Sequence, residues 1–416
     1  MNIIKINIWG KTVGYASWGE KKQCAVFQYD QSYIENGDEL APALMPLSEK
    51  IFCFESLDRK TFNGLPGLLS DSIPDAFGNA LIDLWLKRKG ISVGKFTPFD
   101  RLCYIGKRGI GALEYEPSTE HSDDADIDVN LLASLAGDVL CDRTSAETEL
   151  NDNGMEKLIS IGTSAGGARA KAIIAVNEST MEVRSGQLEL PKEFTQWLIK
   201  FDTEPVGKNK GYCSIEYAYH RMAADCGIEM TECRLLELGE KKHFMTKRFD
   251  RIGSEKVHMQ TLCAMFHMDF KMPGKYSYEE VFGVMRRLQM PYADQEQLFR
   301  RMVFNVIMKN CDDHTKNVSF MLRKGDKWRL APAYDVTYAY NPSNFWIRRH
   351  QMSVNGKLDG IVRKDLKDVA YTAGIKNADD VIDATLSVAS EWKEYAKDSG
   401  IRMDVTDAIG KMHAAF

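Results

Sequence analysis

Hydrophobic and polar residues alternate at the start of the chain. Residues 3–9 and 12–18 read as two strands turning at Gly10-Lys11, and 24–29 as a third. The period then changes. Ala76, Leu81, Ile82, Leu84 and Trp85 fall on one helical stripe, opened by Pro74 or Asp75. Residues 116–129, EPSTEHSDDADIDV, form a Pro-, Ser- and Asp-rich linker, with a helix expected over 130–139. Residues 159–176 read as an apolar entry, a Gly-rich loop and a strand, and 196–201 as a further strand. An amphipathic helix over 214–230 stops at Gly227, and a strand opens 243–251. Residues 258–290 read as helical scaffold. Met302, Val303, Val306 and Ile307 mark the last turns of a buried helix. The chain then turns polar over 310–317. Strands at 318–322 and 328–330 flank a turn at Lys324-Gly325-Asp326, and the hairpin runs on to Asp335. The pattern thus brings a polar loop and one carboxylate to neighbouring ends of a single hairpin. A polar loop containing Phe345-Trp346-Ile347-Arg348-Arg349-His350 spans 338–361, and helices fill 364–416. These changes divide the chain into a β-rich domain (1–118), a linker and helix (119–143), a strand-rich part with the Gly loop (144–255) and a mainly helical part (256–416).

A length of 416 residues suits two or three domains with ample core. The formal net charge of −5 argues against a chain that holds nucleic acid by its overall charge. Nine cysteines without a C-x-x-C spacing read as reduced thiols of a cytosolic protein. The opening residues lack a signal-peptide pattern, and no apolar run reaches membrane-span length. A cytoplasmic protein without a membrane partner is therefore expected.

The polar loop holds D-x-x-x-x-N, from Asp312 to Asn317. Alone this spacing arises often by chance. Between a buried helix and a hairpin ending on Asp335, it matches the catalytic loop of protein kinases. Asp312 is then the acceptor of the substrate hydroxyl proton. Asn317 and Asp335 are hard oxygen ligands for Mg²⁺, which keeps several waters and needs few protein donors. Lys316 would neutralise the moving phosphoryl group. Asp313 lacks the spacing, so it is not read as the base, and replacing it with alanine is expected to leave much of the activity. The Gly-rich loop matches the front of a Walker A loop, but Ala168-Arg169 stands where Lys-Ser/Thr and a helix are required. Between strands it fits a flap over ATP phosphates instead. The backbone N–H groups of Gly166, Gly167 and Ala168 would approach phosphate oxygens, with Arg169 and Lys171 adding charge. Lys200 ends the next strand, where kinases carry their phosphate-binding lysine, and Glu216 stands where its partner lies. Lys247, Arg248 and Phe249 fall at the adenine hinge, which works through backbone groups. Gly106, Gly109 and Gly111 read as a structural turn between two strands.

Several segments together resemble the HipA family of bacterial serine/threonine kinases, the toxin halves of toxin–antitoxin pairs. They are N-x-D-x-H-x-K-N-x-S from Asn310 to Ser319, Ala331-Pro332-Ala333-Tyr334-Asp335, and S-x-G-G-A-R-x-K from Ser164 to Lys171. Arg248-Phe249-Asp250-Arg251 and the pattern from Phe62 to Gly78 (F-x-G-L-x-x-x-L-x-D-S-x-P-D-x-F-G) add to them. Ala170 departs from the family's usual proline. The resemblance implies an α+β, two-lobed protein-kinase-like fold behind an N-terminal β-rich domain, with ATP and Mg²⁺ as cofactors. It also implies nucleotide contact by His314 and autophosphorylation at Ser164, which ejects the Gly-rich loop. The implied partners are a protein substrate, in the family an aminoacyl-tRNA synthetase, and a small HipB-like helix-turn-helix antitoxin that reaches operator DNA. A monomer, or a dimer bridged by that antitoxin, is expected. A small-molecule phosphotransferase of the aminoglycoside-kinase type and a catalytically silent corepressor partner remain open as alternatives.

Overall fold

In the computed structural model, residues 3–74, 76–118, 129, 133, 169–186, 190–204, 211–253, 255–414 and 416 are described. Strand β1 (Ile3–Ile8) turns into β2 (Lys11–Gly19) through Trp9 and Gly10, with φ of 48° and 76°. Two successive left-handed residues suit the twist of a tight hairpin. The turn therefore centres one residue earlier than the alternation suggests. With β3 (Cys24–Tyr29), β4 (Phe52–Cys53) and β5 (Leu113–Glu116), these strands form a sheet of order β4-β3-β2-β1-β5.

The glycines at 106–111 do not lie between two strands. A helix, Pro98–Ile105, precedes them, opened by a capping box between Thr97 and Asp100. The turn itself is structural. Gly111 N–H donates to Asp250 at 2.8 Å, and the Arg251 guanidinium donates to Gly109 O and Gly111 O at 2.9 Å each.

A second sheet follows: β6 (Lys171–Asn177), β7 (Val183–Ser185), β8 (Phe194–Lys200), β9 (Cys233–Leu238) and β10 (Lys241–Lys247). Its order is β7-β6-β8-β10-β9, with every neighbouring pair antiparallel. Lys171 pairs with Lys200 in this register, so two lysines share one end of the sheet. Short pairs join β11 (Arg251–Ile252) to β12 (Glu255–Lys256), and β14 (Tyr276–Ser277) to β17 (Met352–Ser353). Strands β13 (His258–Thr261), β15 (Ser319–Leu322) and β16 (Arg329–Leu330) form the three-stranded platform that carries the polar loop. Around it stand the Tyr278–Arg287, Tyr292–Ile307, Arg363–Ala373, Ala378–Ser390, Trp392–Asp398 and Met403–Gly410 helices.

The N-terminal part is not a tethered appendage. Ile4, Phe27, Leu69 and Phe99 bury in one continuous core with Leu298, Met302, Val303 and Ile307. Its Ala76–Arg88 helix sends Leu81, Ile82 and Leu86 into a second core with Ile174, Trp197, Ile199 and Met245. Each such side chain contributes about 1.5–3 kcal/mol on burial, so separating the parts would expose a large apolar area. The linker expected at 116–129 and most of the helix after it lie outside the described residues. No described helix is long and apolar enough to cross a membrane.

Candidate active site

The site begins with charges that one register brings together. Lys200, at the end of β8, lies 2.5 Å from Glu216 Oε1 on the Tyr212–Asp225 helix and bonds Asp335 Oδ1. Burial alone would push the Lys200 ammonium down; Asp335 and then Glu216 outweigh it and hold it above the usual lysine range. Desolvation would likewise push the Asp335 carboxyl up, but Lys200 and Lys171 hold it well below the usual carboxylate range. Lys171 is buried beside them. Arg169 stacks over the Tyr212 ring at 4.5 Å, with its guanidinium 3.9 Å from Glu216. Three cations and two carboxylates thus line one cleft wall. Asp335 has φ of 53°. A non-glycine residue in the left-handed region costs roughly 1–2 kcal/mol, and aspartate tolerates it better than most.

Opposite stands the polar loop, whose two faces differ. Asn317 Nδ2 donates to Asp312 O at 2.8 Å, and Asn317 N–H to His314 O at 2.8 Å, closing the loop on itself. Almost half of the Asp312 side chain, 45%, stays open, although its surroundings desolvate the carboxyl enough to raise its pKa, opposed by His314. His314 Nε2 lies 3.8 Å from Asp312, and its Nδ1 is buried without a hydrogen-bond partner.

Asp313 faces the other way and is 2% exposed. It accepts from Tyr278 Oη at 3.0 Å and Gln351 N–H at 2.7 Å, and it pairs with His350 Nδ1 at 2.9 Å. Asp313 therefore does not share the exposure of Asp312. It is the loop's buried anchor, because a carboxylate taken out of water must be paired and hydrogen-bonded. Thr315 Oγ1 donates to Met268 O at 2.6 Å, and Tyr334 Oη to Lys316 O at 2.5 Å. The Leu262–Phe266 helix donates from Leu262 N–H to Val318 O (2.8 Å) and from Cys263 N–H to Thr315 O (3.1 Å). Its cap, Thr261, is held by the N-terminal domain: Asp71 accepts from Thr261 N–H at 2.7 Å and from its hydroxyl at 3.0 Å. Desolvation raises the Asp71 carboxyl, and the Lys316 ammonium opposes that rise. Lys316, stacked 5.1 Å over Phe270, therefore shares its charge with Asp71.

The hinge residues divide. Lys247 and Arg248 commit their N–H groups to Glu232 O and Gln196 O, and the Arg248 guanidinium is bound by Asp250. Lys247 is exposed, and Arg248 is buried away from solvent. Their backbone N–H groups are thus already used within the sheet. The Phe249 ring lies 5.9 Å from Tyr334, next to Asp335. Ser164, Gly166, Gly167 and Ala168 lie outside the described residues.

The donor set suits a hard divalent cation. Asn317 spends its amide N–H on Asp312 O, which leaves Oδ1 to pair with the Asp335 carboxylate as oxygen ligands. Lys171, Lys200 and Arg169 suit a polyphosphate. Sequence spacing missed Asp71, His350, Tyr278 and Tyr334. For Asp71 a signal existed, in the D-S-x-P-D segment before the Ala76–Arg88 helix. For His350 there was none, because its partner lies 37 residues away.

Family models match two stretches: the HipA N-terminal domain over residues 4–116 and the HipA-like C-terminal domain over 163–393. A Haemophilus influenzae protein named "Putative kinase" is 30% identical over 135 residues, 29% of this chain and 39% of that protein. "Putative kinase Y4dM" of Sinorhizobium fredii is 28% identical over 170 residues, 37% of this chain and 40% of its own length. The chain thus spans well under half the length of these relatives. Among solved structures, HipA of Shewanella oneidensis, determined with HipB and operator DNA, superposes with a TM-score of 0.64 at 15% identity. It covers 98% of this chain and 95% of that one, and the fold is α+β and kinase-like.

Proposed function

The chain belongs to the HipA family, and from that premise we propose that it is an ATP-dependent protein serine/threonine kinase. One observation carries the reading. Lys200 bridges Glu216 and Asp335 across the cleft from Asp312 and Asn317, so a phosphate-binding cation, a metal-binding carboxylate and an open carboxylate converge. Lys171, Lys200 and Arg169 bind and orient the ATP phosphates. Asn317 Oδ1 and the Asp335 carboxylate would hold Mg²⁺, which would supply neutralisation of the ATP phosphate charge. The acceptor hydroxyl oxygen attacks the γ-phosphorus, the bond to the β–γ bridging oxygen breaks, and ADP leaves. Asp312 takes the hydroxyl proton. Its raised pKa and open face favour that role.

On the same premise, Ser164 is an autophosphorylation site. A phosphate there adds about −1.5 to −2 charges beside the ATP phosphates, so the loop leaves and nucleotide affinity falls. The protein target is of the aminoacyl-tRNA synthetase kind known in the family. The Shewanella protein's complex supports a helix-turn-helix antitoxin as partner, and through it operator DNA. The test is incubation with ATP and Mg²⁺ followed by mass mapping. Phosphate on the 160–171 peptide is expected in wild type, and none in Ser164→Ala. A wild-type protein that transfers no phosphate to itself or to any protein would overturn the reading.

A further inference from the structure

The 338–361 loop is pinned at both ends to the catalytic loop. On one side Cys311 N–H donates to Ala339 O at 2.9 Å, and Ala339 N–H to Lys309 O at 3.2 Å. On the other, Gln351 N–H and His350 hold Asp313. The segment between these pins leaves the catalytic loop at Cys311 and returns to it at Asp313, the residues on either side of Asp312 in the chain, and it shapes itself by local bonds. Ser343 N–H donates to Asn341 Oδ1 and Trp346 N–H to Asn344 Oδ1, each at 2.9 Å, and Asn341 N–H reaches Ile347 O at 3.1 Å. On this braced tip Phe345 and Trp346 are 56% and 46% exposed and meet edge to face at 5.3 Å. The Arg348 guanidinium stacks 5.1 Å over Phe345, and Arg349 is exposed beside it. Among the described residues neither arginine has a carboxylate partner.

Exposed aromatic rings cost solubility, and arginines are usually set among opposite charges. A pair of each, on a short braced loop pinned to the residues on either side of Asp312, matches a ligand with acidic and apolar side chains. Arginine binds carboxylates through a planar fork, and an aromatic pair takes an apolar neighbour. We infer that the 341–349 tip is the acceptor-docking surface, and that its occupant is a polypeptide whose acceptor hydroxyl is flanked by acidic residues and an apolar one. The proposal rests on the kinase reading and names its substrate class. Nucleic acid fits less well. Salt-dependent phosphate binding typically uses about 6–10 contacts, whereas the tip offers two arginines on a chain of net charge −5.

Fluorescence anisotropy on the full chain tests it with three labelled probes. They are a serine peptide with Glu/Asp and Leu flanks, the same peptide with Lys flanks, and a single-stranded oligonucleotide. Wild type should bind the acidic peptide about tenfold or more tightly than the basic one, and less so as salt rises. Arg348→Glu/Arg349→Glu should erase or reverse that preference, and Phe345→Ala/Trp346→Ala should weaken the acidic peptide alone. All replaced side chains are solvent-facing, and unchanged melting temperatures will verify folding. No peptide binding, equal affinity for both peptides, an unchanged preference in the charge-reversed protein, or tighter binding of the oligonucleotide would each overturn the proposal. Wild-type affinity for ATP–Mg²⁺, measured separately, distinguishes the two levels. ATP binding without acidic preference defeats only the docking surface, and absent ATP binding defeats the kinase reading beneath it.

Discussion

The two faces of the 310–319 loop are built on opposite plans. The cleft face presents Asp312 and Asn317 with few bonds of their own; Asp312 is nearly half open. The rear face is crowded with bonds. Tyr278, His350 and Gln351 close on Asp313, Met268 holds Thr315, Tyr334 holds the Lys316 carbonyl, and Asp71 braces the short helix behind them. On the proposed reading, the groups that act on a ligand stay free to meet it, and their placement comes from buried bonds behind them. Carboxylates adjacent in sequence therefore have unrelated surroundings.

The sharpest way to break this contrast is to exchange the two carboxylates' fates. Asp312→Asn should lower phosphoryl transfer by roughly 10²–10⁴-fold, measured as initial rate, with melting temperature nearly unchanged. Asp313→Ala should do the reverse in kind. Breaking one member of a buried pair costs about 3–5 kcal/mol, so denaturant unfolding should show a large loss of stability, and activity should fall with it. If Asp313→Ala is stable and active, the two faces are not distinct.

A smaller effect sharpens how far the rear support extends. Asp71→Asn keeps one acceptor for Thr261 but removes the charge that faces Lys316. Small displacements of a reacting group cost up to about 10²-fold, so kcat should fall while the KM for ATP stays nearly constant. A matched rise in KM would instead place Asp71 in the nucleotide site.

The smallest effect is a pH dependence of stability. Burial lowers the His350 pKa, but Asp313 outweighs it and lifts it to about 10, above an ordinary value of 6.5. A group whose folded pKa is raised stabilises fully below its unfolded pKa and loses that contribution as pH climbs to the folded one. Wild type should therefore lose stability between pH 6.5 and about 10. His350→Gln should be less stable at neutral pH but flatter across that window. Tyr278, held well above its usual range by burial, keeps its proton throughout. Parallel pH curves for the two proteins would show that the pair is not ionic.

The cleft face was legible because its residues sit at short, fixed spacings. Asp312 to Asn317, the hairpin to Asp335 and the strand ending at Lys200 are local patterns that the structure joins through the Lys200–Asp335 and Lys200–Glu216 pairs. The rear face was not legible, because Asp71 and Thr261 lie 190 residues apart and Tyr278 and Asp313 lie 35 apart. Nothing in the period of a helix or strand encodes such meetings. The glycines at 106–111 misled for a related reason. Phe99, Leu102 and Ile105 bury one side of a helix only two turns long, too short to display its period clearly.

On the proposed reading, Asn317 and Asp335 hold a divalent cation against ATP phosphates bound by Lys171 and Lys200. Titration calorimetry of ATP into wild type and Asp335→Asn, each with and without Mg²⁺, tests it most directly. Wild type should bind ATP much more tightly with Mg²⁺, and the variant should lose that metal-dependent gain while remaining folded. Equal ATP affinity in the two proteins in the presence of Mg²⁺ would contradict the assignment.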